Sequence, residues 1–447
     1  MRRTIALVLV AGAVAASTWL VRGASDPSPD RETNKNALLA PPIGPTGPGL
    51  DAGRQREIDR LIAHYEDQVR RQPSTLDLTF LGELYLERAR ISGDVRAYAS
   101  ADEALSRALV IGPADRDARA LLATTRFATH DFLGALDLAE GLIQEDHRDD
   151  AALAIVGDAQ LELGRYAAAA EVYDTLAGRL PGAAEVEARR ARLAFLTGDL
   201  GEARRLAILA EGAARGSGLR GAGLAWYTWF RGQVEFDAGQ YEAARRLWAS
   251  AARGAPEFHL AHAGVGRALA ALGQTERAIE KYIRAIELHP DPGYISSLGD
   301  LYALQGQQGL ARAQYRTVEA IAAVGGVNGR LYDRQLAVYL ADHDRRVVEA
   351  LEIATRAIRT RRDVYGWDAY AWTLYRAGRY QEATEAIGEA LRLGTPDPRL
   401  HFHAGMIAAA MGDDARARAE LETALRLGPA FDPLQAIVAR ETLGGLA

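Results

Sequence analysis

The chain has 447 residues, a formal net charge of −6 and a hydrophobic content of 48%. It contains no cysteine, which excludes disulfides, thiolate metal sites and a lipid-modified N-terminal cysteine. Its positive charge is almost wholly arginine, with Lys35 and Lys281 as the only lysines. Because no basic face is long enough to follow a phosphate backbone, we expect no nucleic-acid partner.

Residues 1–22 have the pattern of a segment that enters a secretory pathway. Arg2 and Arg3 precede an apolar run from Thr4 to Val21, as in signal peptides. The run is close to the minimum length for spanning a bilayer, and small residues at 15–17 and 23–25 are suitable cleavage sites. We predict a signal peptide or an uncleaved membrane anchor, and an extracytoplasmic location that is periplasmic, cell-envelope or secreted.

Residues 23–52 form the next segment, which lacks hydrophobic periodicity and is rich in glycine and proline. The prolines are Pro27, Pro29, Pro41, Pro42, Pro45 and Pro48. Such a composition predicts a flexible linker that spans roughly 30 Å as a coil.

A helical pattern follows the linker. Apolar residues recur at helical spacing from Ile58 to Val69, and Pro73 ends the pattern. We therefore predict an N-terminal helix over residues 53–73.

The main part of the chain is repetitive. One alanine recurs with a period of about 34 residues, which is typical of stacked helical hairpins. The members are Ala135, Ala169, Ala203, Ala244, Ala278, Ala311, Ala350, Ala383 and Ala417. A turn glycine stands before most of these alanines, so each unit is predicted to consist of a helix A, a turn and a helix B.

Small residues in helix A repeat in phase with bulky residues in helix B. Gly157 and Gly232 are examples of the first kind, and Tyr173 and Trp248 are examples of the second. A glycine in mid-helix costs about 1 kcal/mol relative to alanine. Its repeated use at one phase therefore predicts a close approach of two helices, with the bulky side chain filling the space.

This pattern resembles the tetratricopeptide repeat family of the bacterial type with an N-terminal signal or anchor segment. The best match is 364–397, where Trp367, Ala371, Gly378, Tyr380 and Ala383 fall in phase. The resemblance implies an all-α fold, a right-handed α-solenoid of stacked helix-turn-helix repeats. It further implies one solenoid over 53–447, with about ten repeats in 74–430 and a capping helix over 431–447.

Two glycine-rich stretches interrupt the period. They lie at 216–223 and 325–329 and predict loops that divide the solenoid into three blocks.

The resemblance also implies that helix A lines the concave face of the solenoid. Aromatic and arginine side chains, which occur at the inward positions of helix A, contribute most of the binding energy at protein interfaces. We therefore predict a ligand-binding groove. Its candidate residues are Trp226, Trp229, Gln233, Phe236, Arg267, Asp300, Tyr332, Tyr339, Tyr365, Asp368, Trp372, Tyr375, Arg376, Phe402 and Met406.

No motif of a known catalytic site, cofactor site or metal site is present in the sequence. The pairs His259 with His262 and His401 with His403 are interpreted as packing or helix-end residues rather than metal ligands. We therefore predict no enzyme, no cofactor and no metal.

The leading hypothesis is a non-enzymatic extracytoplasmic scaffold that binds a protein or peptide segment in its concave groove, with membrane contact through the N-terminal segment if that segment is uncleaved. The alternative is a carbohydrate-binding accessory of envelope polysaccharide assembly, in which aromatic rings stack on sugars. A remote alternative is an enzyme with a site in the irregular region 325–345, formed from Tyr332, Asp333, Asp342 and His343.

Overall fold

The computed structural model describes residues 52–92, 95–324 and 329–446. The predicted signal or anchor segment 1–22 lies outside the described residues, as does the predicted linker up to residue 51. The helices are α1 Ala52–Arg71, α2 Thr75–Ser92, α3 Val95–Ile111, α4 Arg116–Ala128, α5 Phe132–Glu145, α6 Asp150–Glu162, α7 Tyr166–Arg179, α8 Ala184–Leu196, α9 Leu200–Gly216, α10 Gly221–Asp237, α11 Tyr241–Gly254, α12 His259–Ala271, α13 Thr275–Leu288, α14 Pro292–Leu304, α15 Gln308–Val324, α16 Gly329–Asp342, α17 Val347–Ile358, α18 Val364–Arg376, α19 Tyr380–Leu391, α20 Pro398–Ala410, α21 Asp414–Leu427 and α22 Gln435–Gly445.

The described residues contain helices and no strand. After α1, the helices pair as hairpins from α2 with α3 to α20 with α21, and each hairpin packs on the next. The predicted fold class is confirmed: the protein is an all-α, right-handed α-solenoid of helix-turn-helix repeats. In such a solenoid each hairpin buries its apolar faces against its two neighbours, so stability is distributed along the chain.

The small residues of helix A lie against the bulky residues of helix B. A Cβ atom placed on Gly232 would lie 2.6 Å from Nε1 of Trp248, and one placed on Gly157 would lie 2.6 Å from Cε1 of Tyr173. Trp248 and Tyr173 are fully buried. The predicted interlocking of small and bulky residues is therefore present, and it sets the distance between paired helices.

The hairpin turns use a left-handed backbone residue. Gly164 has φ +76°, and at two turns without glycine His130 and Asp344 take the same region, with φ 59° and 54°. Glycine lacks the Cβ atom that makes this region costly, so its recurrence in the sequence follows from the turn geometry.

The superhelix closes on itself, which the sequence analysis did not anticipate. The turn of the third hairpin, between α6 and α7, lies against the segment that precedes α18: the backbone N–H of Val364 donates to the hydroxyl of Tyr166 at 2.8 Å. The next turn is joined to the loop after α19, where Thr395 Oγ1 donates to the carbonyl of Leu196 at 2.5 Å.

A third contact continues the same series. The backbone N–H of Ala430 donates to the hydroxyl of Tyr241 at 3.2 Å, so the turn between α10 and α11 lies against the loop after α21. Successive superhelical turns are thus in direct contact over three hairpins. The interior is therefore bounded by contacts between superhelical turns and is less open than the groove of a loosely coiled ribbon.

The C-terminal segment differs from its prediction in extent. The helix covers Gln435–Gly445 rather than 431–447. Asp432 Oδ1 accepts the backbone N–H groups of Leu434 and Gln435 at 2.9 Å, and Pro433 follows it, so the helix begins only after this turn. Phe431 is nevertheless buried against Phe402, with ring centroids 5.8 Å apart, and covers the end of the last hairpin.

The first predicted block boundary does not interrupt helix packing. Thr228 Oγ1 of α10 donates to Glu211 Oε1 of α9 at 2.9 Å, and Arg231 pairs with the same carboxylate at 3.0 Å. The second boundary includes 325–328, which lie outside the described residues. Among the helices of the described part, none has the length and apolar character needed to cross a membrane.

Candidate functional site

A cavity of about 460 Å³ lies inside the superhelix toward its C-terminal end. Its walls come from the A helices of four successive hairpins, α14, α16, α18 and α20, together with α15 and the turn before α22. The polar lining residues are Ser296, Ser297, Asp300, Arg334, Gln335, Tyr339, Asp342, His343, Tyr365, Asp368, Arg399, Asp432 and Gln435. Cavities of this size suit a small ligand or a few residues of a peptide.

Asp342, at the end of α16, is exposed on the cavity. Its Oδ1 accepts hydrogen bonds from Nε1 of Trp372 at 2.8 Å and from Nε2 of Gln435 at 2.9 Å. The surrounding protein displaces enough water to raise the pKa of Asp342, with nearby His403 and Arg399 opposing the rise. The carboxylate is thus held in place by protein donors while part of it remains accessible.

Asp300 and His343 form a second fixed pair. Asp300 Oδ1 accepts from the hydroxyl of Tyr315 and from Nε2 of His343, both at 2.8 Å, while Nδ1 of His343 donates to the carbonyl of Tyr339 at 2.8 Å. Burial alone would lower the pKa of His343, yet the hydrogen bond and charge of Asp300 outweigh it and raise that pKa. Both ring nitrogens are occupied as donors, so His343 has no free nitrogen to act as a general base.

Asp368 is the most deeply buried of the cavity carboxylates, at 4% exposure. Its Oδ1 accepts from Nδ1 of His403 at 2.7 Å. The ring of His403 stacks on Trp372 at a centroid distance of 4.1 Å, and Tyr375 stacks on the same indole at 4.7 Å. These aromatic contacts fix the orientation of the histidine and, through it, of the carboxylate.

Two arginines contribute positive charge to the cavity. Arg334 is engaged by Asp363, whose Oδ1 lies 3.1 Å from its guanidinium. Among the described residues, no hydrogen bond or ion pair ends on the guanidinium of Arg399. Burial alone would lower the pKa of Arg399, but Asp397, Asp342 and Asp432 outweigh it, and the group stays cationic.

The predicted groove residues differ in where the structure places them. Asp300, Tyr339, Tyr365 and Asp368 line the cavity. Four other candidates, Trp226, Phe236, Trp372 and Phe402, are at most 7% exposed, so little of their rings is open to a ligand. The physical reason is the tight superhelix, in which inward positions of helix A pack against the adjacent hairpin.

Individual contacts show how these rings are covered. Trp226 stacks on Phe230 at 5.4 Å, and the guanidinium of Arg267 covers the ring of Phe236 at 3.9 Å. Trp229 is half-buried, and its carbonyl accepts from Nε1 of Trp248 at 2.9 Å.

The other described candidates do not line the cavity. Gln233 donates to Asp237 at 2.8 Å and accepts from Arg267 at 3.3 Å. Arg376 pairs with Asp344 at 3.1 Å, and Met406 Sδ accepts from Thr442 at 3.6 Å. Tyr332 belongs to α16, but its side chain lies outside the described part.

Sequence analysis missed seven of the polar lining residues, which are Ser296, Ser297, Arg334, Gln335, Arg399, Asp432 and Gln435. Asp432 and Gln435 lie in the C-terminal segment, which has no repeat phase, so no periodic signal could assign them to the interior. Asp342 and His343 had been considered only for a remote catalytic alternative.

The paired histidines have ordinary partners. Nε2 of His262 lies 2.8 Å from the carbonyl of Pro256, and Nδ1 of His401 lies 2.7 Å from Glu420 Oε2. Within 52–92, 95–324 and 329–446, no group of three or more His, Asp or Glu side chains is arranged to hold a metal ion.

The hairpins and the seam between their paired helices place the protein in the class of helical repeat solenoids. The family model described as "Tetratricopeptide repeat" matches residues 156–217, 231–295 and 370–430, so the chain contains tetratricopeptide repeats. Such repeats are characteristic of protein–protein interaction scaffolds.

A comparison with curated proteins gives no match. Among solved structures, the chain is similar to the one titled "Crystal structure of APC/C hetero-tetramer Cut9-Hcn1". The two chains are 15% identical, the alignment covers 88% of this chain and 94% of that chain, and the TM-score is 0.32.

Proposed function

We propose that this protein is an extracytoplasmic scaffold that binds an extended segment of a partner protein inside its superhelix. The observation that carries the proposal is the cavity itself. Its polar groups come from the A helices of four hairpins, so a bound segment would contact several repeats at once. Repeat proteins use their concave faces in this way, because stacking of hairpins creates a continuous inner surface.

The arrangement of the cavity favours binding over catalysis. Its carboxylates are held by protein donors, and His343 is engaged at both ring nitrogens. A rigid polar lining of this kind lowers the entropy cost of binding because the protein groups are already in position. Among the described lining residues, no histidine with a free ring nitrogen lies beside a nucleophile, so the enzyme hypothesis based on residues 325–345 has little support.

The carbohydrate-binding hypothesis has less support. Sugar stacking requires an accessible aromatic face. Trp372 is 3% exposed, and its ring lies between Tyr375 and His403, while Trp226 is 7% exposed and stacks on Phe230. These indoles are occupied by protein rings.

Site-specific photo-crosslinking tests the binding proposal. A benzophenone amino acid at Gln335, which is exposed and lines the cavity, is expected to crosslink a partner protein in cells of the native host. The matched control places the same group at Glu385, which is exposed on helix B of the ninth hairpin. Equal crosslinking at both positions, or none at Gln335, would reject a partner site in the cavity.

The location outside the cytoplasm, with membrane attachment if the segment is uncleaved, rests on the N-terminal sequence. Arg2 and Arg3 followed by the apolar run to Val21 support export. Mass spectrometry of the protein from its native host is expected to show either the intact N-terminus in the membrane fraction or a terminus created by cleavage near 15–17 or 23–25. An intact N-terminus in the cytoplasmic fraction would contradict the proposal.

A further inference from the structure

We infer that the cavity recognises a cationic side chain, a guanidinium or ammonium group, on the bound segment. This inference rests on the proposed function and adds the chemistry of the ligand. Three features of the cavity support a cationic ligand: the hydrogen-bond geometry of its carboxylates, the buried Oε1 of Gln435 without a donor, and the charge balance of the lining.

Four carboxylates share one geometry. In Asp300, Asp342, Asp368 and Asp432, every protein hydrogen bond falls on Oδ1. Among the described residues no donor lies on the second oxygen of any of the four. All four residues line the cavity. The protein therefore orients each carboxylate through one oxygen and leaves the other as an acceptor for a ligand.

Asp368 keeps the same arrangement at the most buried of the four positions. At 4% exposure the side chain is almost fully removed from bulk water, yet it lines the cavity and its second oxygen has no protein donor. That oxygen is therefore available to accept a hydrogen bond from a ligand. A ligand N–H group would supply the missing donor.

Gln435 points to the same ligand chemistry. Its Nε2 donates to Asp342, whereas its Oε1 is buried without a hydrogen-bond partner. The cavity thus contains several spare acceptors. A guanidinium offers five donors and an ammonium three, and neither has an acceptor.

The charge balance favours a cation. Four carboxylates line the cavity, against the guanidinium groups of Arg334 and Arg399 and the ring of His343. The charge of Arg334 is already paired with Asp363, and that of His343 with Asp300. An anionic ligand attracted by Arg399 would also be repelled by the nearby carboxylates of Asp342 and Asp432. A cation in the same region would instead be attracted by these two carboxylates.

Calorimetric titration of the full-length protein tests the inference. The probes are N-acetyl-arginine amide, its uncharged near-isostere N-acetyl-citrulline amide, and a short glycine–serine peptide with a central arginine. We expect the arginine probes to bind and citrulline to bind at least about tenfold more weakly. We also expect arginine affinity to fall as salt is added, because the attraction is between charges.

Variants locate the site. Asp342→Asn combined with Asp432→Asn keeps an oxygen for the protein donors and removes two charges, so the fold is preserved while arginine affinity falls about tenfold or more. Asp174→Asn, on the exposed surface of α7, is the control and should leave affinity unchanged. Unchanged binding in the double variant, with an unchanged melting curve, would overturn the inference.

The outcomes separate the inference from the proposed function. A partner crosslinked at Gln335 together with equal binding of arginine and citrulline overturns the cation inference and leaves the scaffold function standing. Binding of arginine amide without any crosslinked protein, and without binding of the arginine peptide, would instead assign the cavity to a free small cation and reject the peptide-binding function.

Discussion

Glu162 and Arg361 form an ion pair of 2.7 Å across 199 positions of the chain. Glu162 ends α6 in the third hairpin, and Arg361 precedes α18 in the ninth. The same carboxylate also binds Arg192 of the fourth hairpin. The pair thus connects successive superhelical turns.

Replacement of Glu162 by glutamine should destabilise the protein by about 3 kcal/mol or more, because the largely buried guanidinium of Arg361 and the partly exposed guanidinium of Arg192 lose their common counterion. Chemical denaturation at neutral pH measures the change. The control is Glu202→Gln, which removes an exposed carboxylate paired with Arg205 and should have little effect. Equal effects of the two substitutions would contradict a role for the inter-turn pair.

The same site predicts an acid dependence. Burial alone would raise the pKa of Glu162, but Arg192 and Arg361 outweigh it and lower that pKa below its ordinary value of 4.5. Stability from this group is therefore present above pH 4.5 and is lost as the pH falls through the lower, folded-state value. We expect the unfolding free energy of the wild type to fall more steeply in acid than that of Glu162→Gln.

The contact between superhelical turns can be tested by comparing the stability cost of alanine at two glycines with equivalent backbone geometry. Gly164 and Gly378 have φ +76° and +75°, so alanine at either position meets the same strain, about 1 kcal/mol. Only at Gly164 would the added Cβ meet the other turn, 2.3 Å from the carbonyl oxygen of Arg362. Gly164→Ala should therefore cost about 1–3 kcal/mol more than Gly378→Ala. Equal costs would mean that the turns are not in contact in solution.

The seam within a hairpin is tested by glycines in neighbouring helices. Gly232→Ala adds a Cβ atom 2.6 Å from the indole of fully buried Trp248, and should destabilise the protein by about 1–3 kcal/mol. Gly212, exposed in α9, has open space around it, and Gly212→Ala should stabilise by about 0.5–1 kcal/mol through helix propensity. Denaturation midpoints should therefore shift down for Gly232→Ala and up for Gly212→Ala. Shifts of the same sign would contradict a tight seam at Gly232.

Asp291 gives a pH prediction of the opposite sign to Glu162. The side chain is 6% exposed, its Oδ2 has no partner, and burial raises its pKa to about 6 even though the backbone N–H groups of Gly293 and Tyr294 oppose the rise. Stability from this group is complete below about pH 4 and is lost as the pH rises through about 6.

Asp291→Asn should remove that loss, because asparagine caps a helix about as well as aspartate but does not ionise. At pH 8 the variant should be more stable than the wild type by on the order of 2–3 kcal/mol, and at pH 4 the two should be similar. Thermal melting at several pH values measures the difference. A constant difference between pH 4 and pH 8 would exclude ionisation of Asp291 as its cause.

Much of the solenoid was predictable from local signals. Ala169, Ala203 and their equivalents recur at a regular spacing, as do turn glycines such as Gly164. These residues make contacts within one hairpin or between adjacent hairpins. Such contacts recur with the repeat and therefore leave a period in the sequence. The small residue Gly232 and the bulky residue Trp248 belong to the same kind of signal.

The candidate site was predictable only in part. Asp300, Tyr339, Tyr365 and Asp368 were identified by their phase on helix A and do line the cavity. The same repeat position also identified Trp226 and Trp372, which are buried. A side chain that points inward from helix A lies either in a cavity or against a neighbouring ring, and the tightness of the superhelix decides which. Arg399 carried no signal beyond its charge.

The sequence by itself determined the helices, their pairing as hairpins and the direction of stacking, since each depends on neighbours within about one repeat. The tertiary structure decided that the superhelix closes, through Glu162 with Arg361 and Leu196 with Thr395, and that the C-terminal segment places Asp432 and Gln435 in the cavity. Small angles between hairpins add up over six repeats, and no local pattern records their sum.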